Sequence, residues 1–409
     1  MRIASIVQRA VAIYVVLNAQ VAFAQTYVTQ PLVTPTGYLG CLAYGIADNG
    51  ITVGTCFPAD GLFRAVIWRD GVAEVPPLPS GYNRAEGIAV NAGGTIIGAC
   101  YEGRVATIGC VWENGAVRLL PSPAGMSAFP LDINDLGYVS GWVANPGSLP
   151  QAAIWSPSGV LTLLPVGADA SRAEAMNDSG AVAVNKYGAD VSAAATAAIW
   201  TSSGVTELPV PAGHTLIQVL DINNHGDVVG ATHDNLLRTR AVLWRNGIPE
   251  VLTLPNGALS SQAHGINDST QISGNADHRP ALWRGSAGQT LSELGGAAYR
   301  ISNAGVVAGT AGGVAVLFAP QTPSQEAEIL AENIQTLITD GSVDSRDGSA
   351  LQTHISAAVA RIAADNHTAA SNVLSAFKNK VSALLQSGRL SEADAMNLTA
   401  AADALITRL

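Results

Sequence analysis

Three charged residues stand at one phase of a repeating pattern in this chain: Asp132, Asp221 and Arg300. Each immediately precedes the Ile of a recurring segment, "DINDLGYVSG" (132–141), "DINNHGDVVG" (221–230) and "RISNAGVVAG" (300–309). Other copies carry Gly45, Ala89, Ala175 or Gly265 at that phase. If the position faces a shared channel, two carboxylates and a guanidinium meet there. Two readings follow: a binding site for a small polar molecule or cation, and a structural ion pair or solvated channel mouth. Paired carboxylates also carry out glycoside hydrolysis, and Asp132 with Asp221 is the pair that would supply them.

Other reactive residue types lack the spacing their chemistry needs. Asp135, Asp178 and Asp268 each follow an Asn, but the DxDxDG run of a calcium loop is missing. They read as Asx residues capping their own turns. His225, His233 and His278 crowd into two repeats without an HxxxH or HExxH spacing, so they read as loop histidines, and no metal or cofactor is expected. Neither a GxSxG elbow nor a Gly-rich phosphate loop is present. Four cysteines remain. Cys41 and Cys56 are placed symmetrically about "ADNG", and Cys100 and Cys110 flank the next inter-strand connection. Two local disulfides, 41–56 and 100–110, are expected; four buried thiols are the alternative, and clustered zinc ligands are absent.

The elements that position these residues follow from a ruler of indoles. Trp68, Trp112, Trp155, Trp200, Trp244 and Trp283 lie 44, 43, 45, 44 and 39 residues apart. Segments 45–54, 89–98, 132–141, 175–184, 221–230, 265–274 and 300–309 are seven copies of one unit. Within one unit, "AFPLDIN" alternates as a half-buried strand, "NDLG" turns the chain and "YVSGWV" returns. "QAAIW" and "VLTLLP" make third and fourth strands. Four short strands per forty-odd residues is the blade pattern of a β-propeller. The Trp closing each third strand would fill the wedge between blades, and Gly54, Gly98, Gly141, Gly230, Gly274 and Gly309 would allow close backbone approach.

The last unit carries Phe318 at the Trp position, and no fourth strand follows it. A surplus strand near the chain start, 27–33, is therefore predicted to complete the blade begun by 299–318. That closes seven blades and removes an exposed edge.

Composition sets the address and partner classes. Of 409 residues, 48% are hydrophobic and 13% charged, with 42 glycines, which suits a turn-rich β body rather than a disordered chain. Residues 1–24 read as a secretory signal: Arg2 and Arg9, the apolar run 10–17, and "AFA" before Gln25. Its removal takes the net charge from −10 to −12 (−10 minus the two arginines). So acidic a surface argues against nucleic acid and anionic membranes as partners. No other stretch has transmembrane length.

From about 321 the texture becomes Ala-rich and helical. Four apolar stripes are centred on Leu330/Ile334, Leu351/Ile355, Leu374/Phe377/Val381/Leu384/Leu385 and Leu398/Leu405. Gly341 and Gly388 mark helix ends, and Ser391 before Asp394 reads as an N-cap. The expected architecture is an all-β seven-bladed propeller of four-stranded antiparallel blades over 25–320, followed by a small all-α bundle over 321–409.

Two resemblances add to this. "AVLWRNG" (241–247), "LSELGG" (291–296) and "INDSTQISG" (266–274) resemble the bacterial HAF extracellular repeat, over roughly 40–319. Arg64-Ala65-Val66 and Arg240-Ala241-Val242 stand where that repeat has His-Ala-Phe. The family implies an exported repeat protein and no established chemistry. "NVLSAFKNKVSALLQSGRL" (372–390) resembles the FIMAH domain of exported bacterial proteins, with Lys378 and Lys380 departing from its more neutral pattern. It implies an accessory or interaction module.

The expectation is thus a secreted or periplasmic, non-catalytic binding or scaffold protein, a monomer, whose propeller presents loops to a protein or glycan ligand. The alternative is a propeller hydrolase of glycosidase or lactonase type using channel-mouth carboxylates.

Overall fold

The computed structural model describes residues 26–103, 106–188, 196–255 and 257–409. The leader read over 1–24 lies outside the described residues. Seven four-stranded antiparallel sheets form the blades of a propeller ring. The inner strands are Tyr38–Ile46, Arg84–Val90, Ser127–Ile133, Ala170–Met176, Thr215–Ile222, Ser261–Ile266 and Gly296–Ile301, which number blades one to seven. Each is followed by its second, third and fourth strands in chain order, except in blade seven. There the order is Tyr27–Pro31, Val314–Pro320, Val307–Ala311 and Gly296–Ile301, so a segment near the chain start is the outer strand of the last blade. The Leu32 amide donates to the Ala315 carbonyl at 2.9 Å and continues that pairing. The predicted closure is present.

The indoles occupy the wedges, each against the blade before its own. Trp112 packs with Val53, Ala65 and Ile67; Trp155 with Ala89, Ile97 and Val111; Trp244 with Ala175, Ala183 and Ala197. Trp283 packs with Val229 and Leu243, and Trp68 with Ala308 and Ala315 across the closure. Phe318 is fully buried at the equivalent place, whereas Trp200 is only half-buried. Packing is not the whole role. Five indole Nε1–H groups donate to carbonyls just beyond the preceding blade's outer strand: Trp68 to Val33, Trp112 to Pro77, Trp155 to Pro121, Trp244 to Pro209 and Trp283 to Thr253, all at 2.7–2.8 Å.

Every inner strand carries a β-bulge at the same phase, between 43 and 45, 87 and 89, 130 and 132, 173 and 175, 219 and 221, 263 and 265, and 298 and 300. Opposite the bulge, six blades place the glycine noted in the sequence. A Cβ on Gly54 would overlap the Leu42 carbonyl, and one on Gly141 the Phe129 carbonyl, so in these blades the backbones approach too closely for a side chain. Blade four uses Val184 instead.

The turns between first and second strands differ from expectation. Asn91, Asn134, Asn177, Asn223 and Asn267 cap their own turns, each Oδ1 accepting the amide four residues on at 2.8–3.0 Å. Asp135, Asp178 and Asp268 do not cap their own turns. Their Oδ1 atoms accept the amides of Ala92, Asp135 and Asn224 from the preceding blade, at 2.7, 2.8 and 2.9 Å. The residue after Asn points outward from its turn, so the neighbouring blade is the nearer source of donors. Asn303 to Asp48, at 2.9 Å through its Nδ2, carries the wreath across the closure, and Asn49 to the Ala92 carbonyl, at 2.7 Å, continues it from blade one to blade two.

Both disulfides are formed, Cys41–Cys56 between paired positions of the first and second strands and Cys100–Cys110 between second and third. No cysteine is free among the described residues.

Residues 320–409 with 26–28 make a separate compact unit. Its helices are α1 (Pro323–Thr339), α2 (Ser345–Ala363), α3 (His367–Gln386) and α4 (Glu392–Arg408). The four predicted stripes build one core, including Leu330, Ile334, Leu351, Phe377, Leu398 and Leu405. Leu385 departs from its stripe and is exposed. Ser391 caps α4, its Oγ accepting the Asp394 amide at 3.1 Å. No helix among the described residues is long and apolar enough to cross a membrane.

The indole bond is testable. Trp155→Phe keeps most of the wedge but leaves the Pro121 carbonyl without its donor, and should lower stability by about 1–3 kcal/mol. Trp155→Ala should lower it by about 3–5 kcal/mol. Denaturant unfolding followed by circular dichroism checks both, and a Trp155→Phe curve identical to wild type would remove the bond from the account.

Candidate functional site

The inner strands bring Asp132, Asp221 and Arg300 together in the channel. Arg300 reaches across from blade seven, its Nη1 on Asp221 Oδ1 and its Nη2 3.5 Å from Asp132 Oδ1. The other carboxylate oxygens face the next blade along. Asp132 Oδ2 accepts the Met176 amide at 3.1 Å and Asp221 Oδ2 the Ile266 amide at 2.9 Å. At the same phase, a Cβ on Gly45 or Gly265 would press on the backbone of the next blade. Small residues and inter-blade acids are thus two solutions to one close approach.

The open space lies one residue earlier along each inner strand. The unpaired bulge residues Tyr44, Ile88, Leu131, Glu174, Leu220, His264 and Tyr299 line it, one from each blade. Glu86, Phe129, Gln218, Gln262 and Arg300 complete a cavity of about 430 Å³. That is within the size range of small-molecule sites, about 300–1,000 Å³. A bulge re-aims the side chain it carries, and here it points the extra residue of every blade at the axis. Sequence reasoning singled out the neighbouring column, one residue later, because charge stands out there. The signal available for the lining was the residue before that column, mixed in type and so without a pattern.

The cavity combines aromatic faces with acids. Tyr44 and Tyr299 meet edge to face, with ring centres 5.2 Å apart. His264 stacks on Tyr299 at 5.5 Å, and its Nδ1 lies 3.1 Å from the Ala298 carbonyl. A carbonyl only accepts, so Nδ1 carries the proton and Nε2 is left as an acceptor in the neutral ring. Burial pushes His264 down to about 4, so the ring is neutral at neutral pH. Glu174 Oε1 accepts from Asn185 Nδ2 at 3.0 Å, and Glu86 accepts from the Tyr101 hydroxyl.

Burial pushes Glu174 up to about 7 against the hydrogen bond from Asn185 and the charges of Arg172 and Arg300. Burial likewise raises Asp132 to about 6, with Arg300 pulling down and Asp221 pushing up. Glu86 is raised by burial, against its bond from Tyr101. Burial opposes the charge on Arg300, but Asp221 and Asp132 hold it protonated.

At the other end of the inner strands, the turns enclose about 150 Å³ lined by residues that include Asp48, Asp135, Asp178 and Asp268. Oxygens of these acids accept the wreath bonds described above. No group of three or more His, Cys, Asp or Glu among the described residues is arranged to hold a metal ion.

Residues 327–407 match the family model described as the FIMAH domain. No curated protein matches the chain. Among solved structures, the chain is similar to TolB from Acinetobacter baumannii, with 11% identity and a TM-score of 0.40, over 70% of this chain and 65% of that one. The chain thus spans about two thirds of that structure's length. YCF48 bound to D1 peptide gives 12% identity and a TM-score of 0.48, over 72% of this chain and 96% of that one. XC5397 from Xanthomonas campestris, described as a gluconolactonase, gives 15% and 0.38, over 73% and 97%.

The raised acid predicts a pH effect. Glu174 has a folded pKa near 7, above its value of about 4.3 in an unfolded chain. The folded state therefore binds the extra proton between those values, and stability falls as pH rises through them. Glu174→Gln keeps the Oε1 acceptor for Asn185 and removes the charge. Its melting temperature relative to wild type should climb between pH 5 and pH 8, read by calorimetry. A difference that stays flat over that range would mean that Glu174 titrates normally.

Proposed function

We propose that this chain is an exported, non-catalytic binding protein whose propeller channel takes a carbohydrate ligand. The observation that carries the reading is the cavity at the axis, to which every blade contributes. Tyr44, Tyr299 and Phe129 bring aromatic rings to its wall, and Gln218, Gln262, Glu86 and Glu174 bring hydrogen-bonding groups. Sugar rings have this same division, apolar C–H faces with hydroxyls at the edge. Export is supported by two disulfides, which persist in oxidising compartments, and by the leader read over 1–24. The HAF-type reading of the repeats agrees with it. The bundle over 321–409 then serves as an interaction module, and the protein acts as a monomer.

A hydrolase would need a free pair of carboxyl groups. The pair expected for it, Asp132 and Asp221, shares Arg300 and accepts backbone amides of adjacent blades. This occupancy leaves Asp132 and Asp221 unavailable as that pair.

Calorimetry and saturation-transfer NMR on the full chain, with a panel of mono- and disaccharides, test the reading. Saturable binding is expected, weakened at least about tenfold, roughly 1.4 kcal/mol, by Tyr299→Ala, within the range for losing an aromatic contact. No product should form from glycosides or lactones. Turnover lost in Asp132→Asn would overturn the non-catalytic reading, and absence of saturable binding would overturn the sugar.

A further inference from the structure

We infer that the ligand of the channel cavity is an amino sugar with a free ammonium group, received by Glu86 and Glu174 beside the faces of Tyr44, Tyr299 and Phe129. This rests on the carbohydrate reading above and narrows it to one class.

Four carboxyl groups, Glu86, Asp132, Glu174 and Asp221, stand in or beside the cavity, and Arg300 is the cation that lines it. Arg300 is already shared between Asp132 and Asp221. Glu86 and Glu174 have hydrogen-bond donors, Tyr101 and Asn185, but among the described residues neither has an ion-pair partner.

Two further arginines near the inner strands are held elsewhere. Arg84 lies over the rings of Phe63 and Tyr101, at 5.2 and 5.8 Å. Arg172 lies over Trp142 and Tyr187, at 5.5 and 5.9 Å. A buried carboxylate without a counterion is costly; Arg84 and Arg172 are held on aromatic faces and Arg300 on two Asp, and the pull of Arg172 and Arg300 on Glu174 does not offset its burial.

The remaining lining agrees independently of the acids. His264 presents Nε2 as an acceptor, because its Nδ1–H is committed to the Ala298 carbonyl. A ligand rich in donors, carrying its charge as N–H, complements an acceptor-rich wall. Aromatic faces within about 6 Å of a cation add attraction. A neutral sugar would satisfy the rings and amides but leave Glu86 and Glu174 as they are, and an acidic sugar would meet repulsion.

The test compares the disaccharide of glucosamine with that of N-acetylglucosamine, using the full chain and calorimetry at one pH and ionic strength. The rings are the same, and each C2 nitrogen is an ammonium in one sugar and an acetamide in the other, so the carboxyl-to-amide variants separate charge from the bulk of the acetyl group. The free amine should bind at least tenfold more tightly, and Glu174→Gln or Glu86→Gln should each shrink that ratio several-fold. Two variants from different blades guard against one that fails to fold, which the melting curve reveals. Equal affinity for the two sugars would overturn the ammonium inference and leave the carbohydrate reading standing. Binding of neither would overturn both.

Discussion

The bond that five of the repeat indoles make to the previous blade is the interaction on which most joins of the ring depend. Trp at the end of a third strand fills the wedge and also donates to a carbonyl about 35 residues earlier, as Trp112 does to Pro77. In three blades the acceptor is a proline, Pro77, Pro121 or Pro209. Proline cannot donate to a further ladder, so the outer strand stops there and its carbonyl is left for the neighbour. The bond from Trp68 to Val33 is the same interaction made across the closure, because Val33 follows the strand that completes blade seven. One contact therefore sets blade spacing and fastens the ends of the β body. It leaves no open sheet edge at the join.

The inner strands show how a regular ring makes an irregular site. A bulge in each strand, opposite a glycine in six blades and Val184 in the fourth, turns an extra residue toward the axis. The scaffold fixes the position of that residue and leaves its type free. Tyr44, Glu174, His264 and Tyr299 thus share one place in the fold while differing in chemistry. Just beyond them, Arg300 crosses the channel to acids of two other blades. A buried ion cluster of this kind is held by geometry that satisfies most of its oxygens. The Met176 and Ile266 amides supply that satisfaction from adjacent blades.

The turn wreath repeats the same logic. Within "IND", the Asn caps its own turn through Oδ1 and donates through Nδ2 to a carbonyl of the next blade, while the residue after it accepts an amide of the preceding blade. Local reasoning about Asx turns captured the first and assigned Asp135, Asp178 and Asp268 to it as well. The amides that those acids accept belong to residues 43 or 44 positions away, such as Ala92 for Asp135.

By itself the sequence determined the seven blades, the strand borrowed from near the chain start, both disulfides and the helical stripes. All of these follow from period, alternation or symmetry about a turn, which are local or repeat with fixed phase. It also brought out Asp132, Asp221 and Arg300, since charge among Gly and Ala at one phase is visible without coordinates. Tertiary structure alone decided that Arg300 is shared between the two carboxylates and that the cavity is lined by the preceding column. A bulge shifts which side chain faces the axis by one residue, and that shift exists only once two strands have paired. The burial that raises Glu174 and keeps His264 neutral likewise arises only when seven inner strands converge.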